Sequence, residues 1–232
     1  MKNTNGSTVS AQDYFDRGNT FHNQKDYQSA ISEYNEAIRL NPDFSEAYNR
    51  RGIVNVRIGQ HSEALSDFDA AIRLNPDSAE GYSNRGFLKS QMGQHFEGIS
   101  DCDTAIRLDP NYAGAYSNRG TVKGRLRKLF EAISDFDTAI RLDPNQAATY
   151  RNRGLAKALL GHHDEAIPDY DTAIHLSPDD AKFYYIRGVS KNILGHTNEA
   201  KADFQSALNL AEKAKDERLK TQIMKQLTQV EK

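Results

Sequence analysis

The residue types in this chain that could do chemistry recur at fixed intervals. Asn84, Asn118 and Asn152 lie 34 residues apart, each followed by Arg and Gly. An asparagine amide offers two N–H donors and an acceptor, so such a series could pair with the backbone of an extended peptide. It could equally serve to hold its own repeat together. Histidines fall at His61, His95, His162, His163 and His196, with His22 and His175 apart from them. A shared metal needs ring nitrogens about 2 Å from the ion, whereas neighbouring helices pack about 8–10 Å apart. These histidines therefore read as turn residues rather than ligands. Arginines at 17, 51, 85, 119, 153 and 187 each precede Glu33, Asp67, Asp101, Asp135, Asp169 or Asp203 by 16 residues. Lys89, Lys123, Lys157 and Lys191 follow four residues after their arginines, on the same helix face. The regular recurrence predicts an ion-pair ladder between paired helices; a binding stripe is the rival reading. Lys123, Arg125, Arg127 and Lys128 form a basic cluster that suits either an acidic partner or a solvated turn. No nucleotide loop, nucleophile–base pair or metal-ligand pair stands at motif spacing, so the chain reads as a non-enzyme with no cofactor and no metal.

The interval points to the elements that must position these groups. Tyr recurs at 14, 48, 82, 116, 150 and 184, and Ala at 37, 71, 105, 139, 173 and 207. Five of the six prolines, Pro42, Pro76, Pro110, Pro144 and Pro178, share one column. A proline cannot continue a helix and closes one. Gly59, Gly93, Gly161 and Gly195 mark a turn in mid-repeat. Small residues at Gly52 and Ala64, and at their equivalents, let two helices approach closely, with the tyrosine and an aromatic such as Phe68 filling the space around them. Each 34-residue unit thus reads as helix, turn, helix. Pro168 falls early in a second helix, where its missing N–H is expected to cost little. The third unit has Gly98 and Cys102 in place of Ala and an aromatic, which predicts a softer hairpin unless Phe96 fills the gap.

Composition narrows the class. Hydrophobic residues make up 38% of 232 and mean hydropathy is −0.76, which suits a thin repeat array without a single deep core. A net charge of −2 argues against nucleic acid. No stretch approaches the roughly 20 apolar residues of a membrane span, and Met1–Ser10 lacks a signal-peptide core. The lone Cys102 rules out an intramolecular disulfide. A cytoplasmic protein is expected.

The six in-register units resemble the tetratricopeptide repeat, a 34-residue helix-turn-helix, and their Asn-Arg-Gly form resembles the variety common in bacterial members. Arg in the seventh place departs from the family's usual apolar residue. The resemblance implies an all-α, right-handed α-solenoid. It comprises a disordered tail (1–10), units at 11–44, 45–78, 79–112, 113–146, 147–180 and 181–214, and a capping helix (215–232) whose apolar face is Leu219, Ile223, Leu227 and Val230. It also implies that first helices line a concave groove for an extended peptide or partner protein. Carried onto this sequence, the groove residues are Asn49, Arg50, Asn84, Phe87, Asn118, Thr121, Arg125, Arg151, Asn152 and Tyr185. The clamp by which some members hold a chaperone's C-terminal carboxylates does not fit: of Phe15, Asn19, Arg50, Glu80 and Asn84 only Asn19 matches, and the frame Ser117, Thr121, Asn152, Lys182 and Ile186 matches twice. The function implied is a non-catalytic, monomeric scaffold or adaptor. A regulatory subunit of an enzyme and a self-assembling structural protein are the alternatives.

Overall fold

The computed structural model describes residues 9–230; most of the expected N-terminal tail lies outside them. Thirteen helices fill the described residues, with no strand among them. They are α1 (Ala11–Asn23), α2 (Tyr27–Leu40), α3 (Ser45–Arg57), α4 (His61–Leu74), α5 (Ala79–Gln91), α6 (His95–Leu108), α7 (Ala113–Arg125), α8 (Leu129–Leu142), α9 (Ala147–Leu159), α10 (His163–Leu176), α11 (Ala181–Ile193), α12 (Thr197–Lys213) and α13 (Glu217–Val230). The chain divides into two compact units between Val122 and Lys123, inside α7. In the first, the hairpins α1–α2, α3–α4 and α5–α6 form, and α2 and α4 also pack on the first helix of the next repeat. In the second, α8 packs on α9, the hairpins α9–α10 and α11–α12 form, and α13 lies against α12 and α11.

Local rules set the helix boundaries. Ser10 and Asp13 exchange hydrogen bonds in a capping box that starts α1. Ahead of the first four column prolines the chain leaves the helical region: Asn41, Asn75, Asp109 and Asp143 have φ of −134 to −140° and ψ of 87 to 99°. Proline sterically excludes the helical region for the residue before it. The freed side chains of these four residues then accept the N–H two residues on. The mid-repeat turn needs positive φ, which Gly59, Gly93, Gly161 and Gly195 supply at 81 to 89°. Where glycine is absent, Lys25 and Arg127 adopt φ of 63° and 62° instead.

Hairpins close on a glycine-to-ring contact. A Cβ built on Gly18, Gly52, Gly154 or Gly188 would sit 2.5–2.8 Å from the ring of Tyr34, Phe68, Tyr170 or Phe204. The third hairpin solves the same problem differently. Its smaller Cys102 is fully buried, and Phe96 does not pack over it, being 72% exposed. Instead Gly86 and Gly98 let the backbones meet, so that a Cβ on either would lie 2.6 Å from the other's carbonyl oxygen. The hairpin where softness is expected thus brings its two backbones into direct contact. Pro168 also departs from expectation. It is the sixth residue of α10, past the four N–H groups that lack helical partners, so its bond to the Asp164 carbonyl is missing. At the C-terminal end, α13 buries Leu219 and Ile223 on the cluster of Phe204, Ala207 and Ala211, with Leu227 and Val230 at its margin. Full burial of each such side chain contributes about 1.5–3 kcal/mol.

Candidate binding surface

The first helices carry most of the residues selected from the sequence, and several of these side chains are engaged by partners within the chain. In the first unit, Asn49 is only 6% exposed, and its amide oxygen accepts a hydrogen bond from Asn84 Nδ2 at 3.1 Å. This corrects the expectation that Asn49 faces the groove; Ser83, its counterpart one repeat on, is also buried. Asn118 Nδ2 donates to Ser83 Oγ at 2.9 Å and to the Ser83 carbonyl at 3.3 Å. Asn84 and Asn118 therefore tie their repeats to the one before rather than bonding within their own. Arg50 is half-buried and pairs with Glu80 at 3.4 Å. Burial pushes the Tyr112 phenol up to about 12, with Glu80 reinforcing the shift and Arg50 opposing it. Phe87 on α5 and Thr121 on α7 are half-buried, and the Thr121 hydroxyl donates to the Ser117 carbonyl.

In the second unit, Arg125 is exposed at the end of α7. The basic cluster around it is not uniform: Lys123 pairs with Asp135 at 2.7 Å, and Arg127 makes the positive-φ turn. Arg151 donates from Nε and Nη2 to the Asn152 amide oxygen, at 3.1 and 2.7 Å. Tyr185 packs on the last core cluster, its ring 6.0 Å from that of Phe204. Arg151 and Tyr185 share a cleft of about 380 Å³ with Leu155, Lys182, Ile186 and residues of α13. Sequence reasoning overlooked Lys182 and Arg218 as members of this cleft. Ile186, the one apolar residue in a column otherwise holding Asp, Arg and Asn, was the available signal.

The arginine column is structural. Arg153 Nη2 meets Asp169 at 2.5 Å and its Nη1 meets Asp137 on the preceding repeat at 2.7 Å. Arg85 likewise bridges Asp101 and Asp69, and Arg187 bridges Asp203 and Asp171. Lys89, Lys123, Lys157 and Lys191 each contribute a cation to a buried aspartate, at 2.7–3.1 Å. Burial works against the Arg187 charge, but hydrogen bonds to Asp203 and Asp171 outweigh it and hold the pKa well above the ordinary arginine value. The same arginines lie 4.4–5.7 Å over the tyrosine rings three residues earlier. The ladder thus runs between repeats as well as within them. The acidic residues at 69, 103, 137 and 171 that make the second link were visible in the sequence but unread.

Two histidines contact serines: His95 Nδ1 lies 3.1 Å from Ser90 Oγ, and His163 Nδ1 lies 3.2 Å from Ser190 Oγ on the next repeat. Among the described residues no group of three His, Cys, Asp or Glu could hold a metal ion, and no helix is long and apolar enough to cross a membrane.

Family models described as TPR repeat match residues 18–59 and 56–93, and models described as tetratricopeptide repeat match 117–181 and 181–213. The chain belongs to the tetratricopeptide repeat family. No curated protein matches this TPR chain. Among solved structures, it is similar to a chain of the APC/C hetero-tetramer Cut9-Hcn1, at 19% identity and a TM-score of 0.84. That match covers 94% of this chain and 43% of the other, so this chain spans less than half the length of that relative. It is also similar to a thermophilic TPR protein in Thermus thermophilus (24% identity, TM-score 0.70, covering 79% of this chain and 99% of that one). A third is YrrB, described as a TPR protein with an unusual peptide-binding site (24% identity, TM-score 0.50, covering 74% and 88%). These likenesses carry the helical-solenoid fold. Within the TPR frame, Asn19, the residue that matched the chaperone clamp, is occupied: its amide oxygen accepts from the Tyr34 hydroxyl at 2.8 Å. Burial pushes that phenol up to about 12.

Proposed function

We propose that this protein is a non-catalytic scaffold or adaptor that holds an extended peptide, or an exposed segment of a partner protein, along the first helices of its repeats. Solenoids offer extended surfaces of this kind, and YrrB, a structural relative, is described as having a peptide-binding site. The observation that carries the reading is the division of polar groups within each repeat. On these first helices the arginine column closes its charges internally, whereas the neighbouring asparagines keep unused hydrogen-bonding capacity. Asn84 and Asn118 each use Nδ2 as a strut, which leaves an amide oxygen and a second N–H for a partner backbone. Phe87, Thr121, Arg125, Arg151, Asn152 and Tyr185 belong to the same reading, and Arg50 contributes beside its partner Glu80. The protein acts in the cytoplasm as a monomer, without contacting nucleic acid or membrane; the near balance of acidic and basic residues supports the exclusion of nucleic acid.

The test separates the inner helices from the outer ones. A partner captured from the native source and identified by mass spectrometry is titrated calorimetrically against Phe87→Ala on α5 and Arg107→Ala on α6, with folding checked by circular dichroism. Phe87→Ala is expected to weaken binding about tenfold, roughly 1.4 kcal/mol, and Arg107→Ala to leave it unchanged. The reverse pattern would remove the first helices from the account.

A further inference from the structure

The cleft shared by α9, α11 and α13 is built to a different electrostatic rule from the arginine column. Three cations line it: Arg151 from α9, Lys182 from α11 and Arg218 from α13. Among the described residues none of the three has an ion-pair partner, although Arg153, two residues along the same helix, has two. Arg151 rests on the neutral amide of Asn152. The single carboxylate in the lining is Asp216, which accepts the Leu219 N–H at 3.0 Å as the cap of α13. Three positive charges against one negative leave the lining with an excess of two.

The remainder of the lining is largely apolar. Leu155 and Ile186 contribute from the first helices and Leu219 from α13, and Tyr185 both lines the cleft and packs on the core cluster. Ile186 stands in the column that holds Arg50, Asn84, Asn118 and Asn152 in earlier repeats. The last repeat therefore exchanges a polar rung for a greasy one just where α13 adds a further cation. Unpaired cations around an apolar floor complement an occupant with the opposite charge and a large side chain.

Resting on the groove reading above, we infer that this cleft is the specificity subsite of the groove, and that it takes a partner segment carrying two or more Asp or Glu side chains around a large apolar residue. The apolar side chain sits on Leu155, Ile186 and Leu219, and the carboxylates meet Arg151, Lys182 and Arg218. Arginine forks bind carboxylates bidentately, which adds direction to the attraction. A chain's terminal carboxylate brings one charge and would leave the excess uncompensated, so internal acidic residues fit the lining better.

The full chain is screened against a bead library of N-acetylated octapeptides attached through their C-termini, so that no terminal charge is present. The retained sequences are expected to carry acidic residues flanking Leu, Ile, Phe or Met. A retained sequence, resynthesised with a C-terminal amide, should bind Arg151→Gln and Arg218→Gln about tenfold more weakly. Its affinity for the unsubstituted chain should fall as NaCl rises from about 0.05 to 0.5 M. Both substitutions lie on groups with exposed surface, and circular dichroism confirms the fold. Retained sequences without acidic bias, or acidic ones that bind both variants unchanged, overturn the subsite while leaving the groove reading standing. A library from which the chain retains nothing overturns both.

Discussion

Arg153 and Arg151 stand two residues apart on α9 and occupy opposite electrostatic settings. Arg153 lies between hairpins, holds Asp169 and Asp137, and shares Asp169 with Lys157. Arg151 lines the cleft beside α13 and leans on a neutral amide. The first setting repeats down the chain with the 34-residue period; the second occurs where the period breaks. A charge that recurs with the repeat and finds its partners there belongs to the scaffold. A charge that departs from the repeat and is left unpaired is, on the inference above, the one that meets a ligand.

Three substitutions probe that contrast, the largest expected effect first. Asp169→Ala strips a buried carboxylate from between Arg153 and Lys157 and leaves two cations facing each other. Breaking a buried ionic set this way costs about 3 kcal/mol or more, read as a lower midpoint in urea unfolding followed by circular dichroism. Asp137→Ala removes the outer partner of the same arginine, a carboxylate whose side chain is 54% exposed, and should cost at most about 1 kcal/mol in the same assay. Arg151→Ala should change stability by less than about 0.5 kcal/mol. If Arg151→Ala destabilised the protein as much as Asp169→Ala, the separation of structural from available cations would fail.

The legibility of the sequence follows the same line. The helical hairpins, their turns and their spacing can be read because each depends on local rules that recur from repeat to repeat. Gly at a positive-φ turn, Pro closing a helix and glycine against a ring are examples. The Arg-to-Asp pairing 16 residues apart is equally plain. Features that join one repeat to the next are harder to read, because sequence spacing does not state which side chains bury. The repeat register points Asn49 at the groove, yet it is a buried acceptor for Asn84. The small residues of the third hairpin suggest softness, yet Gly86 and Gly98 close it by backbone approach. Pro168 reads as part of a helix start but stands one turn further in. The cleft at α13 depends on a helix outside the period, so no column could announce Arg218.

The central claim is that partners lie along the first helices. Hydrogen–deuterium exchange of the full chain, with and without the captured partner, tests it most directly. The account predicts slowed exchange in α3, α5, α9 and α11 on binding, with α4, α6 and α10 unchanged. Protection confined to those second helices would contradict it.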